Sequence, residues 1–247
     1  MKKLFEKDEI WFAVLWIAVY VFGFSTADAL SETVGIPKLF TIILGVGISL
    51  ILYGFIRKNR LEKHCGLCLT KNSPKDFLYY IPLVFISSIN LFGCTAAEKP
   101  FIETALFILS MVCVGFLEEI IFRGFLFKGM LCSIPKVAVL VSSLTFGMGH
   151  AINLLMGEPV PDTLLQLVYA SAVGFCFTVV FLTSGSLLPC ILSHIFVNAT
   201  SIFAPETDFT GQIVLAAVQT VISISYGVWL LHKHKNNLQP SVWGSQG

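Results

Sequence analysis

The chain has 247 residues, 55% of them hydrophobic and 13% charged, with a formal net charge of +1. Such a composition excludes intrinsic disorder and argues against an ordinary soluble domain. No basic run interleaved with aromatics is present, so nucleic acid is excluded as a partner. The expected fold is all-α, a polytopic membrane protein whose first partner is the lipid bilayer.

Crossing a bilayer takes about 20 mostly apolar residues. Eight stretches answer to that, near 10–30, 37–56, 77–97, 101–131, 136–156, 162–183, 187–204 and 210–231. The expectation is therefore about eight transmembrane helices in a single transmembrane domain over 1–247. The fourth stretch is long and must tilt or project, and the seventh is short. Ala27-Asp28-Ala29 resembles a small-residue cleavage site, but Glu6, Asp8 and Glu9 dilute the basic region before it. The first stretch is expected to be an uncleaved anchor. The longest loop, 57–76, is too short to fold alone.

Lys and Arg placement sets orientation. With the N-terminus inside, one side holds Lys2, Lys3, Lys7, Arg57, Lys58, Arg60, Lys63, Lys71, Lys75, Lys128, Lys136, Lys233 and Lys235; the other holds Lys38 and Lys99. This split predicts a multi-pass protein with cytoplasmic N and C termini; the expected location is a bacterial plasma membrane. Glu32, Glu158, Asp162, Glu206 and Asp208 then fall on outer loops.

There are seven cysteines. Cys94, Cys113, Cys132, Cys176 and Cys190 lie in or beside apolar stretches, where cysteine acts as a small hydrophobe. Cys65 and Cys68 form a C-x-x-C in a basic loop, but a structural zinc site usually takes four ligands and no second pair is visible. Two reduced thiols are expected there.

Three polar patterns interrupt the apolar stretches: E-E-I-I-F-R at Glu118–Arg123, F-G-M-G-H at Phe146–His150 and H-I-F-V-N at His194–Asn198. A charge at the bilayer centre costs about 2.5–3.5 kcal/mol on insertion scales, so each needs a reason. On an α-helix Glu119 and Arg123 are i and i+4 and can pair as a structural ion pair, while Glu118 points about 100° away. Glu118 is thus a desolvated carboxylate without a local cation, which suits a general base. His150 shares a face with Phe146, a packing residue, and Gly147 and Gly149 would permit close helix approach. His194 and Asn198 are i and i+4 and can donate to one point. Asn153 is placed to orient His150. A lone His or Asn in a membrane helix is often only an interhelical hydrogen bond. Together, a carboxylate, two imidazoles and an amide make a kit for hydrolysis: base, proton carrier and oxyanion cradle. No G-x-S-x-G, H-E-x-x-H or paired intramembrane aspartates accompany them.

The three patterns, in this order, resemble the CAAX protease and bacteriocin-processing enzyme family, whose eukaryotic members are type II CAAX prenyl endopeptidases. The match is E-E-x-x-x-R at Glu118, Glu119 and Arg123, F-x-x-x-H at Phe146 and His150, and H-x-x-x-N at His194 and Asn198. It covers a catalytic core near 101–204. The resemblance implies an intramembrane endopeptidase with a site open toward the cytoplasmic half and a peptide or membrane-protein substrate. It implies that Glu118 and His150 activate a water while His194 and Asn198 stabilise the oxyanion. Zinc held by Glu118, His150 and His194 is the alternative, since many members are called metalloproteases. The ligands lack a tight local pair, so metal-independent hydrolysis is preferred. A bacteriocin immunity or membrane binding protein of the same fold, and a proton-coupled transporter, are the competing classes.

Overall fold

The computed structural model describes residues 1–95, 99–131 and 135–235, and among them there is helix and turn but no strand. Cys132, Ala96 and Ala97 lie outside the described residues. A short α1 (Lys2–Lys7) leads into α2 (Glu9–Val34), capped by the Asp8 carboxylate on the Trp11 amide at 3.0 Å. Gly35, at φ 77°, ends α2 in the left-handed region that favours glycine. Then come α3 (Leu39–Lys58), α4 (Ile81–Ser87) and α5 (Phe101–Glu118). A π-helical segment, Glu119–Phe127, and α6 (Lys128–Leu131) continue the line of α5. The chain closes with α7 (Pro135–Gly149), α8 (Ile152–Leu155), α9 (Val160–Ser184), α10 (Leu188–Thr200) and α11 (Phe209–Lys233).

Among the described residues six helices are long and apolar enough to cross a membrane: Glu9–Val34, Leu39–Lys58, Phe101–Leu131, Val137–Leu155, Val160–Ser184 and Phe209–Lys233. They coincide with six of the eight predicted stretches. The other two are built differently. Over 77–97 the chain makes a 3₁₀ turn at Pro74–Tyr80, the seven-residue α4 and a second turn at Ile89–Leu91. Leu78, Tyr79 and Tyr80 sit at φ 49°, 54° and 59°, where an L side chain is strained, and Pro82 lacks the amide that would join α4 to an earlier helix. Asn90 then gives its side-chain amide to the Val197 carbonyl at 2.6 Å, fixing this broken stretch to α10. The seventh stretch is α10, 13 residues long, extended by a 3₁₀ turn at Ser201–Phe203.

α9 is the central strut, packed between α7 and α11, while α5 packs on α10 and α3. Close approach is set by small residues. A Cβ on Gly115 of α5 would lie 2.7 Å from the Ile195 side chain and 2.9 Å from its backbone nitrogen, so only glycine lets α10 come this near. Gly147 serves α7 in the same way against Leu167 and Ser171 of α9. Gly149 does not: a Cβ there meets only the Phe122 ring, at 3.9 Å.

The basic loops gather at one end of the bundle. His64 bonds Glu9, Thr70 donates to the Ser184 carbonyl at 2.8 Å, Asn72 to Thr183 at 3.0 Å, and Leu187 N–H to Gly66 at 2.8 Å. Lys233 reaches Asp76 at 3.4 Å. Loop 59–73 is therefore strapped across the α9–α10 junction. Cys65 and Cys68 lie in it as free thiols. Burial pushes the Cys65 thiol well above its ordinary range, disfavouring the thiolate that metal or redox chemistry uses. The opposite end carries Lys38 paired with Asp28 at 2.9 Å, the exposed Cys94, and the starts of α9 and α11.

Candidate active site

The site begins where α5 changes its winding. All nine residues of the π segment are buried. A π-helix bonds i→i+5, is rare, and occurs frequently at functional sites. In an α-helix consecutive side chains diverge by about 100°. At the head of this wider turn, Glu118 and Glu119 instead address one imidazole. Glu119 Oε1 meets His194 Nδ1 at 2.9 Å, and Glu118 Oε2 lies 3.4 Å from His194 Nε2. Gly115 makes this reach possible by admitting α10 one turn earlier. Ser142 of α7 donates to the Phe122 carbonyl at 3.0 Å, satisfying a backbone group within the π segment.

Glu119 also pairs with Arg123 at 2.9 Å, and both side chains are 0% exposed. The guanidinium donates to the Gly174 carbonyl at 3.2 Å and lies 4.1 Å from the Phe146 ring centroid. The expected ion pair is present, and it does more than pair: its carboxylate also holds His194. Phe146 packs edge-on to Phe122, His150 and His194 at 5.5, 5.8 and 5.6 Å between centroids. It is the common wall between the cation and both histidines.

Glu118 has a partner that sequence reasoning missed. Tyr20, midway along α2, donates its hydroxyl to Glu118 Oε1 at 2.5 Å. Tyrosines favour the bilayer interfaces, so one in the middle of a span was the available signal. Glu118 Oε2 accepts no hydrogen bond among the described residues.

Two cavities meet these groups. One, of about 160 Å³, is lined by Tyr20, Glu118, Phe146 and His150 and continues past Asp28 and Thr41. The other, of about 720 Å³, is lined by His150, His194 and Asn198 and runs out past Glu158, Asp162 and Gln212. His150 and Phe146 border both. Glu118, Glu119 and His194 are thus in contact, His150 joins Glu118 in the smaller cavity, and Asn198 lines the larger one with His150 and His194. Asn153 is not placed as expected: its amide donates to Gln166 at 2.8 Å rather than orienting His150, because α7 ends at Gly149 and the next turn swings Asn153 toward α9. Both cavities lead away from the basic loops, against the expected opening toward the basic, cytoplasmic half.

Among the described residues no group of three or more His, Cys, Asp or Glu side chains is arranged to hold a metal ion. Glu119 on His194 Nδ1 at 2.9 Å orients Nε2 toward the cavity side, an arrangement that serves a donor and a ligand equally.

No curated protein and no solved structure matches the chain. Residues 100–200, which carry both glutamates, Arg123, both site histidines and Asn198, match the family described as Type II CAAX prenyl endopeptidase Rce1-like.

Proposed function

We propose that this protein is a CAAX-type membrane endopeptidase that hydrolyses a peptide bond with a water activated by Glu118. The observation that carries the reading is the pair of adjacent glutamates addressing the two nitrogens of His194 beside a cavity, within a segment that matches a peptidase family. Tyr20 occupies Oε1 of Glu118, which leaves Oε2 as the basic atom. Oε2 takes a proton from water as the oxygen attacks the scissile carbonyl. His150, across the cavity, helps to hold that water. Negative charge develops on the carbonyl oxygen, where His194 Nε2 and the Asn198 amide serve as donors. Glu119 fixes the ring that presents Nε2 and, with Arg123, supports it from behind. Collapse of the tetrahedral intermediate breaks the C–N bond, and Glu118 returns its proton to the leaving amine. The test compares membrane and released peptides from cells making the wild type or Glu118→Gln. Products present with the first and missing with the second support the reading, and identical profiles reject it.

A further inference from the structure

The larger cavity has a direction. Its inner wall is His150, His194 and Asn198, and its rim is Glu158, Asp162 and Gln212. Glu158 precedes α9, Asp162 lies in its first turn, and Gln212 lies in the first turn of α11. These places are all at the end opposite the strapped basic loop. Among the described residues, none from 57–76, 183–188 or 233–235 lines either cavity. Lys and Arg gather on cytoplasmic loops. The basic end is therefore the inner one, and the cavity is reached from outside.

Its lining also has a chemistry. No Lys or Arg lines it, and among the described residues neither Glu158 nor Asp162 is in an ion pair. Thr163, 1% exposed, lines it with a hydroxyl that has no hydrogen-bond partner among the described residues. Such a group, with the amides of Asn198, Gln212 and Gln219, suits the N–H and C=O groups of an extended backbone. At about 720 Å³ it lies within the roughly 300–1,000 Å³ of typical ligand sites.

We propose that this cavity is a peptide cleft opening on the outer face of the membrane, and that it takes polypeptide segments carrying basic residues beside an apolar stretch. The basic residues meet Glu158 and Asp162, and the apolar stretch runs inward toward His150 and His194. The proposal rests on the peptidase reading for what happens to the segment, but not for its binding.

Two measurements test it. In a chain whose Cys68, Cys94 and Cys132 are serine, Gln212→Cys should react with a membrane-impermeant maleimide on intact cells. Lys71→Cys should react only after permeabilisation. The native Cys94, exposed at the same end as Gln212, gives the same readout in the wild type if a variant accumulates poorly. Labelling of Lys71→Cys but not Gln212→Cys or Cys94 on intact cells overturns the outer face. The second measurement uses the full-length Glu118→Gln protein and fluorescent peptides of one apolar sequence flanked by Lys or by Glu. The Lys-flanked peptide should bind about tenfold more tightly. Adding Glu158→Gln and Asp162→Asn should remove that preference. Equal binding of both peptides overturns the cleft. A wild type that prefers the Lys-flanked peptide and never cuts it keeps the cleft and rejects the hydrolase.

Discussion

Behind the His194 ring, Glu119, Arg123, Gly174 and Phe177 form a dry region in which Glu119 Oε1 meets both Arg123 and His194, and the guanidinium also meets the Gly174 carbonyl. In front of it, Tyr20, Glu118, His150 and Asn198 border the cavities; each glutamate keeps one oxygen without a hydrogen bond among the described residues, but of the two only Glu118 lines either cavity. Two glutamates adjacent in sequence therefore face opposite circumstances. Glu119 is 0% exposed and shared between two cationic or polar partners, so its carboxylate is a fixture. Glu118 touches space that water can fill, so its carboxylate can act. Neighbours, rather than residue type, divide structure from chemistry here.

The strongest challenge to that division is Glu118→Gln. Turnover should fall about 10²–10⁴-fold with the protein still folded, since a general base is lost while shape is kept. Near-normal turnover in purified enzyme would move the base elsewhere. Glu119→Gln should instead act first on stability. It strands Arg123 in a dry place, and breaking a buried pair costs about 3–5 kcal/mol. Thermal unfolding in detergent should show this loss for Glu119→Gln and Arg123→Ala, and not for Glu118→Gln. If all three unfold alike, the front and back of the ring are not distinct.

Asn198→Ala sharpens the front side. Removing one oxyanion donor should lower kcat by about 10²–10³ with KM nearly unchanged. A raised KM at constant kcat would make Asn198 a ground-state contact instead. Tyr20→Phe should have a smaller effect. A hydrogen bond to a charged group is worth about 1.5–3 kcal/mol, so loosening Glu118 should lower kcat about tenfold without changing KM. No change would leave Tyr20 as packing. Smallest of all should be the effect of a chelator. Hydrolysis by purified protein should continue without stoichiometric zinc, and loss of activity restored by zinc would replace the glutamate mechanism.

Much of the site was legible because its chemistry is costly in an apolar setting. Glu118, Glu119, Arg123, His150, His194 and Asn198 stand out where hydropathy leaves no room for idle charge. The long helices and the two-sided Lys/Arg pattern were legible for the same reason. The π segment was not, because Glu118–Arg123 fits an α-helix equally well by spacing, and the wider turn arises from packing against α2 and α7. The break over 77–97 was hidden because an apolar stretch does not show left-handed residues at Leu78–Tyr80. Tyr20 lies 98 residues from Glu118, and only the folded bundle pairs them. The direction of the cavities depends on where α7 stops, at Gly149, and no residue pattern marked that end as their mouth.

The π segment has a further consequence, for chain length instead of composition. A single deletion between Ile120 and Leu126 would let the segment rewind as an ordinary α-helix. A π turn holds one residue more than an α turn, so the helix beyond would keep its facing and the shift would fall within the segment. Arg123 and the Phe125 and Phe127 rings, which now face the core, would be carried out of register with it. Conservative substitutions along this stretch keep the count and leave both carboxylates on His194. Loss of Ile120 or Ile121 would leave both carboxylates but cut the spacing from Glu119 to Arg123 from four residues to three. The spacing of these nine positions is thus as much a part of the catalytic apparatus as the side chains that it aims.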